Sequence, residues 1–423
     1  MKKISRYVRK IDYDLNNYLL QNLFNGAVYL IPKKDFEKIE TSLRNNVDIA
    51  DCHTTLLAQE LFIVEDEPSH AYVRQADRFL VTIETTSNCN LQCSYCYEND
   101  KGTRDAISEN VIADTLQYIE NVFLRDSMHK SLCVGFIGGE PLLCKEQIVS
   151  ICGKLTALGI RYNREISYHI DTNGTIPFDD LFQSLENLHI SVSLTPRYDH
   201  NKNRCAKGFD SFDRVVSNLQ KVTRKEGNTL SIRYNTNDEN IVAFGSFVSF
   251  VKENIQICDL IEPMYTDEYD HTYFRNQLTV DTFRKWNATE AIDILIQNGF
   301  HIPYSLGGTW SPCVAYQAYS CKIYADGMVT MCDAMSHNEA RCNISQICSA
   351  PELLDTYYSD IKDYNPLDDE ECYKCVELAR CMGKLFCRTD KCRYNKRFDD
   401  ALLACTFTRY LLNGKGDFFT GML

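Results

Sequence analysis

From Phe79 onward, short apolar runs alternate with longer stretches whose apolar residues recur every three or four positions. The first pattern predicts strands, the second amphipathic helices. Strands are expected at Phe79–Glu84, Leu132–Phe136, Ile166–Ile170, Ile190–Leu194, Leu230–Tyr234 and Cys258–Pro263. Val111–Leu124 reads as a helix with Ile112, Leu116, Ile119 and Phe123 inward and Ser108 as its cap. Further helices are expected at Gln147–Leu158, Leu181–Leu188 and Ile241–Val251, and Asp210-Ser211 caps another through Val222. Six such units imply a parallel sheet with helices outside. Eight would close a full barrel, so the fold class is α/β with a partial (β/α)6 TIM-like barrel.

The flanks read differently. Residues 1–78 carry a short strand at Ala27–Ile31 after the turn pair Asn25-Gly26. A helix follows at Asp35–Leu43 with Phe36, Ile39 and Leu43 on one face. This is a small α+β module, either a docking unit for a partner or a cap on the next domain. The barrel occupies 79–305, with a last helix at Thr282–Gln297. Residues 306–423 are loop-rich, with a turn at Asp326-Gly327 and short strands near Lys322–Tyr324 and Met328–Met331. A region with so little regular apolar patterning needs staples, and metal clusters serve.

Composition narrows the classes. The chain has 423 residues, 44% of them hydrophobic, and a net charge of −13, which argues against nucleic-acid binding through a basic surface. No apolar run reaches the length of a membrane span. The basic start lacks an apolar core and is followed by Asp12 and Asp14, so neither a secretory nor an organellar leader fits, and a cytoplasmic protein is expected. Twenty cysteines in that compartment point to metal binding or catalysis rather than disulfides. Ten of the 20 lie between Cys313 and Cys392.

The chemistry starts at Cys89, Cys93 and Cys96, a C-x3-C-x2-C loop at the end of the first barrel strand. Three thiolates can hold three corners of a four-iron cluster and leave one iron open. Zinc more often takes four ligands in C-x2-C pairs. Two more suspect loops follow at strand ends: Gly138-Gly139-Glu140-Pro141 after the second strand and Asp171-Thr172-Asn173-Gly174 after the third. Loop residues gathered at one end of a βα scaffold are the usual geometry of an active site.

These residues resemble the radical S-adenosylmethionine (radical SAM) superfamily. Tyr95 holds the aromatic position before the last cysteine, and Gly138–Pro141 matches the Gly-Gly-Glu motif that holds the methionyl amino group. A simple Asn-Gly turn is the alternative for Thr172 and Asn173, which resemble a further motif stretch. Ser193, then His200, Arg204, Gly208 and Ser211-Phe212-Asp213, resemble another, in which Ser193 and Arg204 would reach the cofactor's polar groups. Thr195-Pro196 departs from the Asp-Gly usual there.

The C-terminal cysteines resemble the SPASM extension of the same superfamily, which binds two auxiliary [4Fe–4S] clusters. The resemblance implies that Cys313, Cys321, Cys332 and Cys387 hold one and Cys372, Cys375, Cys381 and Cys405 the other. Leu385 stands where the pattern expects a cysteine. Cys387 substitutes, with Cys392 as its rival, and two zinc knuckles are the alternative on the same sulfurs. Asp333, directly after Cys332, matches a proposed catalytic aspartate of anaerobic sulfatase maturases, although a solvated turn residue explains it as well.

The resemblance implies one SAM-binding [4Fe–4S] cluster, SAM, two auxiliary clusters and an electron donor such as flavodoxin or ferredoxin. The leading expectation is an oxidoreductase that crosslinks a ribosomal precursor peptide through a thioether or carbon–carbon bond. A sulfatase maturase that makes formylglycine from Cys or Ser is the second enzyme reading. A non-catalytic iron–sulfur or zinc protein is the alternative from another class.

Overall fold

The computed structural model describes residues 2–25, 27–47, 52–60, 62–67, 78–96, 105–206, 208–266, 274–300, 314–333, 335–362 and 368–375. The chain divides into two compact units, one of Met1–Ala76, Tyr304–Tyr316 and Asp360–Leu423, the other of Asp77–Pro303 and Gln317–Ser359.

In the first unit, β1 (Lys3–Ile4) is followed by β2 (Val8–Asp12), β3 (Asn17–Asn22) and β4 (Val28–Pro32), then α1 (Lys33–Arg44), α2 (Cys52–Gln59) and β5 (Ile63–Val64). Strands β2, β3 and β4 form an antiparallel meander with β4 at one edge, and β1 pairs with β5. The β2–β3 turn closes on Asp14, whose carboxylate accepts from the Asn16 and Asn17 amides at 2.7 Å each. Leu20 and Ile31 of the meander bury against Phe36 and Ile39 of α1 and against Leu57, Phe62 and Ile63. Each such side chain contributes roughly 1.5–3 kcal/mol by leaving water.

Among the described residues, the second unit is built on a nine-stranded sheet. Its elements in order are β6 (Arg78–Thr86), β7 (Leu91–Cys93), α3 (Glu109–Arg125), β8 (Ser131–Gly138), α4 (Lys145–Tyr162), β9 (Glu165–Thr172), α5 (Asp179–Ser184) and β10 (Leu188–Ser193). Next come α6 (Arg197–Asn203), β11 (Arg204–Ala206), α7 (Ser211–Leu219), β12 (Thr229–Thr236), α8 (Phe244–Asn254), β13 (Leu260–Tyr265), α9 (Val280–Trp286) and α10 (Ile292–Asn298). The short strands β14 (Cys321–Ile323), β15 (Met328–Thr330) and β16 (Cys342–Asn343) finish it. The sheet order is β13-β12-β10-β9-β8-β6-β14-β15-β16.

The six expected strands are there and pair in parallel in chain order. Strand β14 adds to the far side of β6, also in parallel, so the sheet is an open partial barrel with a C-terminal extension. Ser108 caps α3 through the Val111 amide, and Asp210 caps α7 through that of Asp213. The Thr282–Gln297 helix is α9 and α10 joined by a π-turn at Asn287–Ala291.

Strand parity sets the two faces. On β6, Phe79, Val81 and Ile83 are fully buried, as are Leu132, Val134 and Phe136 on β8. Most residues of the opposite parity are polar, Leu80 and Ile137 excepted, and the registers align them in layers. Lys322, Thr82, Gly135, His169, His189 and Thr229 are successive partners across β14, β6, β8, β9, β10 and β12. Ser193, Arg233 and Glu262 form a higher layer. One face of an otherwise apolar barrel is thus lined with polar and ionisable groups. Among the described residues no helix is long and apolar enough to cross a membrane.

Candidate active site

The cysteine loop leaves β6 and is held from two sides. Strand β7 pairs antiparallel with β11, which sets Cys93 opposite Arg204. Beyond it, the Ser94 amide donates to the Asn203 carbonyl at 2.9 Å, and Ser94 Oγ to Asn203 Oδ1 at 2.8 Å. Tyr95 Oη accepts from Arg204 Nη1 and from Asn235 Nδ2, each at 3.1 Å, and its ring stands edge-on to Phe274. Cys89 is exposed, and Cys93 and Cys96 are half-buried. Burial pushes the Cys93 thiol up to about 11, while Arg204 pulls it down.

On the other side, Asn173 ties the third strand end to the loop. Its Nδ2 donates to Asn90 Oδ1 at 2.8 Å and lies 3.7 Å from Cys89 Sγ. Its Oδ1 accepts from the Thr175 amide and hydroxyl. Cys89 Sγ also receives the Leu91 amide at 3.4 Å. Asn173 therefore does more than make a turn, since it reaches the cysteine loop, while Thr172 donates to Glu140.

Gly138 and Gly139 have a steric reason. The end of β8 folds back onto the segment that leads into the cysteine loop, with the Gly139 amide donating to Thr86 O and the Glu140 amide to Asn88 O. A Cβ on Gly138, whose φ is +145°, would stand 2.2 Å from Thr86 O, and one on Gly139 would stand 2.1 Å from Asn88 O. The resemblance implies glycines that open the backbone to a ligand. Here the close approach is to the chain's own Thr86–Asn88 backbone.

Glu140 is 1% exposed. Its Oε1 accepts from Leu142 N at 3.0 Å and Thr172 Oγ1 at 2.6 Å, and its Oε2 from Asn173 N at 2.7 Å. Burial raises its pKa, and these three donors pull it back. A carboxylate has about four acceptor positions, so one remains for an ammonium group. Pro141 opens the short buried helix Pro141–Cys144 and accepts from Thr85 Oγ1.

Ser193 ends β10, half-buried opposite Arg233. The Thr195-Pro196 departure is the entry to α6, which returns the chain to the cysteine loop at Asn203 and Arg204. A buried carboxylate, Asp199, holds this corner by accepting from Asn203, Asn237 and Asn240. Burial works against the Arg204 guanidinium, but Tyr95 and Cys93 outweigh it and hold its pKa above the usual value. Its Nε is buried without a hydrogen-bond partner.

Three thiols with one buried cation beside them, and an orphaned N–H on that cation, fit an anionic cluster and its ligand. Cys89, Cys93 and Cys96 would hold such a cluster, and the Glu140 carboxylate and Arg204 are the groups at hand for a zwitterion's ammonium and carboxylate.

Asp333 follows β15. It is open to water yet ringed by protein, and burial raises its carboxyl pKa. A hydrogen bond from Thr82 and the charge of Lys322 act the other way, with Asp171 and His169 also in range. It is thus an exposed turn residue whose carboxylate reaches the polar layer of the barrel at Thr82. A search for apolar runs passes over its neighbours. Asp171 Oδ1 binds Arg233 Nη2 at 2.9 Å and His169 Nε2 at 3.0 Å, which hold its pKa well below the usual value despite burial. The His169 and His189 rings stack with centroids 5.0 Å apart. His189 meets Thr229 and Ser231, and Ser231 donates to Glu262. The signal for these residues is the polar position between apolar ones in Tyr-His-Ile-Asp and Ile-Arg-Tyr-Asn.

Of the proposed auxiliary ligands, Cys321 is buried on β14 and hydrogen-bonds Tyr118 of α3. Cys332 is half-buried beside Asp333. In the other unit, Cys372 is buried in the short helix Glu370–Lys374 and Cys375 directly follows it. Cys313, Cys381, Cys387, Cys392 and Cys405 lie outside the described residues.

Comparison with known proteins agrees with this geometry. Residues 83–250 match the radical SAM superfamily. The chain is 26% identical over 345 residues to a cysteine-type anaerobic sulfatase-maturating enzyme of Clostridium perfringens, covering 74% of this chain and 89% of that protein. Its fold resembles SuiB of Streptococcus suis bound to its precursor peptide SuiA, with a TM-score of 0.56 at 15% identity over 95% of this chain and 100% of that one. It also resembles anSMEcpe with bound AdoMet and the Cp18Cys peptide, with a TM-score of 0.57 at 17% identity over 80% and 99% of the two chains. The cysteine loop, the Gly-Gly-Glu turn and the open parallel barrel are thus those of a radical SAM domain, with a [4Fe–4S] cluster and SAM as its cofactors, and the chain is an enzyme that carries this domain over residues 83–250.

Proposed function

We propose that this enzyme is a peptide maturase, which takes a hydrogen atom from an unactivated carbon of a ribosomal precursor and leaves a thioether or carbon–carbon crosslink, with the peptide two hydrogens lighter. The observation that carries the reading is the N-terminal meander. Strand β4 lies at a sheet edge beside α1, an arrangement that can take an extended leader peptide as a further strand. The fold of SuiB, a protein solved bound to its precursor peptide SuiA, matches over 95% of this chain.

When bound, the cluster and SAM supply a 5′-deoxyadenosyl radical. The chain's own residues do the rest. Tyr95, Asn173 and Arg204 fix the cysteine loop, and Gly138–Pro141, Thr172 and Ser193 line the cofactor's place. The polar interior from Glu262 to Lys322 receives the peptide and orients one carbon toward the strand ends. Asp333, held by Thr82, is the carboxylate available to a proton leaving the substrate. Cys313, Cys321, Cys332 and Cys387, and Cys372, Cys375, Cys381 and Cys405, would hold two auxiliary clusters that take up the electron left over. A flavodoxin or ferredoxin would deliver the first electron, in the cytoplasm.

A second reading, maturation of a sulfatase cysteine or serine to formylglycine, draws support from the 26% identity to the Clostridium perfringens enzyme and from Asp333. Mass spectrometry separates the two. Reduced, cluster-loaded protein is incubated with SAM and either a precursor encoded beside it or a cysteine peptide from a sulfatase. A precursor that loses two hydrogens and keeps its sulfur supports the crosslinking reading. A sulfatase peptide whose sulfur is replaced by oxygen, with no change in the precursor, overturns it.

A further inference from the structure

The barrel interior holds a buried lysine that pairs with no carboxylate among the described residues. Lys322 sits in β14 between Cys321 and Ile323, which face away from the interior, and is registered opposite Thr82 and Thr330. It is 2% exposed. Its Nζ lies 4.4 Å above the Tyr324 ring centroid. Arg233, by contrast, binds Asp171 at 2.9 Å. Asp333 is close enough for its charge to be felt, but its carboxylate is turned to Thr82. Gly135, two strands away in the same layer, presents no side chain there, and a Cβ on it would meet only Thr82 at 3.5 Å.

An ammonium that lines the hollow of the barrel with neither ion pair nor hydrogen bond among the described residues costs stability, and one aromatic face returns only part of it. Such a group persists where a ligand completes it. The geometry points to Lys322 as a substrate-binding cation, donating a hydrogen bond to the sulfur or oxygen on the β-carbon of the peptide residue that reacts, and so holding that atom between its Nζ and Asp333. This deepens the maturase reading and rests on it. Lys322 then selects a Cys or Ser side chain over an apolar one, because an apolar side chain leaves the ammonium unmet.

Two measurements test it. The first needs no substrate: thermal unfolding of full-length, cluster-free protein. Lys322→Met keeps the stem over Tyr324 and removes the unmet charge, so its Tm should equal or exceed the wild type's. A fall of several degrees would make Lys322 a structural cation and overturn the proposal, as would loss of iron from the loaded variant, which would set the ammonium against cluster sulfur. The second is turnover with SAM and a cysteine-containing peptide. Product formed per 5′-deoxyadenosine released should drop on the order of 100-fold in Lys322→Gln and be largely restored in Lys322→Arg. An unchanged ratio in Lys322→Gln overturns the proposal. Wild-type protein that releases no 5′-deoxyadenosine would instead count against the enzyme reading, and the Tm comparison alone would then decide the role of Lys322.

Discussion

Glu140 is the carboxylate that ties the end of β8 to the end of β9, and its replacement gives a quantitative prediction. In Glu140→Gln the amide oxygen can still accept from Leu142 N and Thr172 Oγ1, now 3.0 and 2.6 Å from Oε1. The new NH2 takes the place of Oε2 and faces the Asn173 amide, 2.7 Å away, donor to donor. One buried N–H is left unsatisfied, at a cost of roughly 1–3 kcal/mol. Neutralising a carboxyl whose pKa is raised by burial recovers part of this, so the net loss should be about 1–2 kcal/mol. Glu140→Ala orphans all three donors and should cost about 3–5 kcal/mol. In cluster-free protein these correspond to Tm drops of about 4 °C and about 10 °C, read by circular dichroism. The released Asn173 should also loosen Cys89, so iron retained after anaerobic gel filtration should fall in the same order. A Glu140→Ala variant that melts within about 1 °C of wild type and keeps its iron would refute the idea that this carboxylate binds the loops together.

Three further outcomes follow from the same geometry. Gly139→Ala should fold with normal helix content yet load little iron at the SAM site, since its Cβ would overlap Asn88 O at 2.1 Å; iron and sulfide analysis checks it. Burial and His169 hold His189 down at about 4, so it is neutral in the fold while the unfolded chain protonates it near 6.5. Stability should therefore fall as pH drops from about 6.5 toward about 4, by at most about 1.4 kcal/mol per pH unit for this group, and Tm against pH should flatten in His189→Asn. Arg204→Gln should weaken SAM binding in calorimetry more than it shifts Tm, because its Nε is already unpaired.

Much of the barrel is legible in the sequence because its strands are short apolar runs with turn residues after them and its helices carry caps such as Ser108 and Asp210. Boundaries fail where tertiary contact decides. The Leu181–Leu188 stretch stops as helix at Ser184, because Leu185 is extended and Asn187, at φ 53°, turns the chain so that Leu188 opens β10. Strands β2 and β3 escape a pattern search, since their alternation is interrupted by Lys and Gln and their closure depends on one Asx turn at Asp14. The attachment of β14 to β6 is not visible at all: Leu80 N donates to Ser320 Oγ across 240 positions, and no local pattern encodes such a partner. At the site, the cysteines and Gly-Gly-Glu can be read because their spacing carries chemistry. Asn90, Asn203 and Asn235, which aim those residues, cannot, because an asparagine in a loop looks like any turn. The interior charges are written in strand parity, with Ser167, His169 and Asp171 of β9 and Thr229, Ser231 and Arg233 of β12 at alternate positions.

Cys89, Cys93 and Cys96 are held here to carry the cluster at which SAM is cleaved. The most direct test is the release of 5′-deoxyadenosine by anaerobically reconstituted full-length protein given SAM and dithionite, followed by chromatography and mass spectrometry, beside a Cys93→Ala control. Steady release by the wild type and none by the control is the predicted result. Equal amounts from both, or none from a wild type that carries its iron and sulfide, would contradict it.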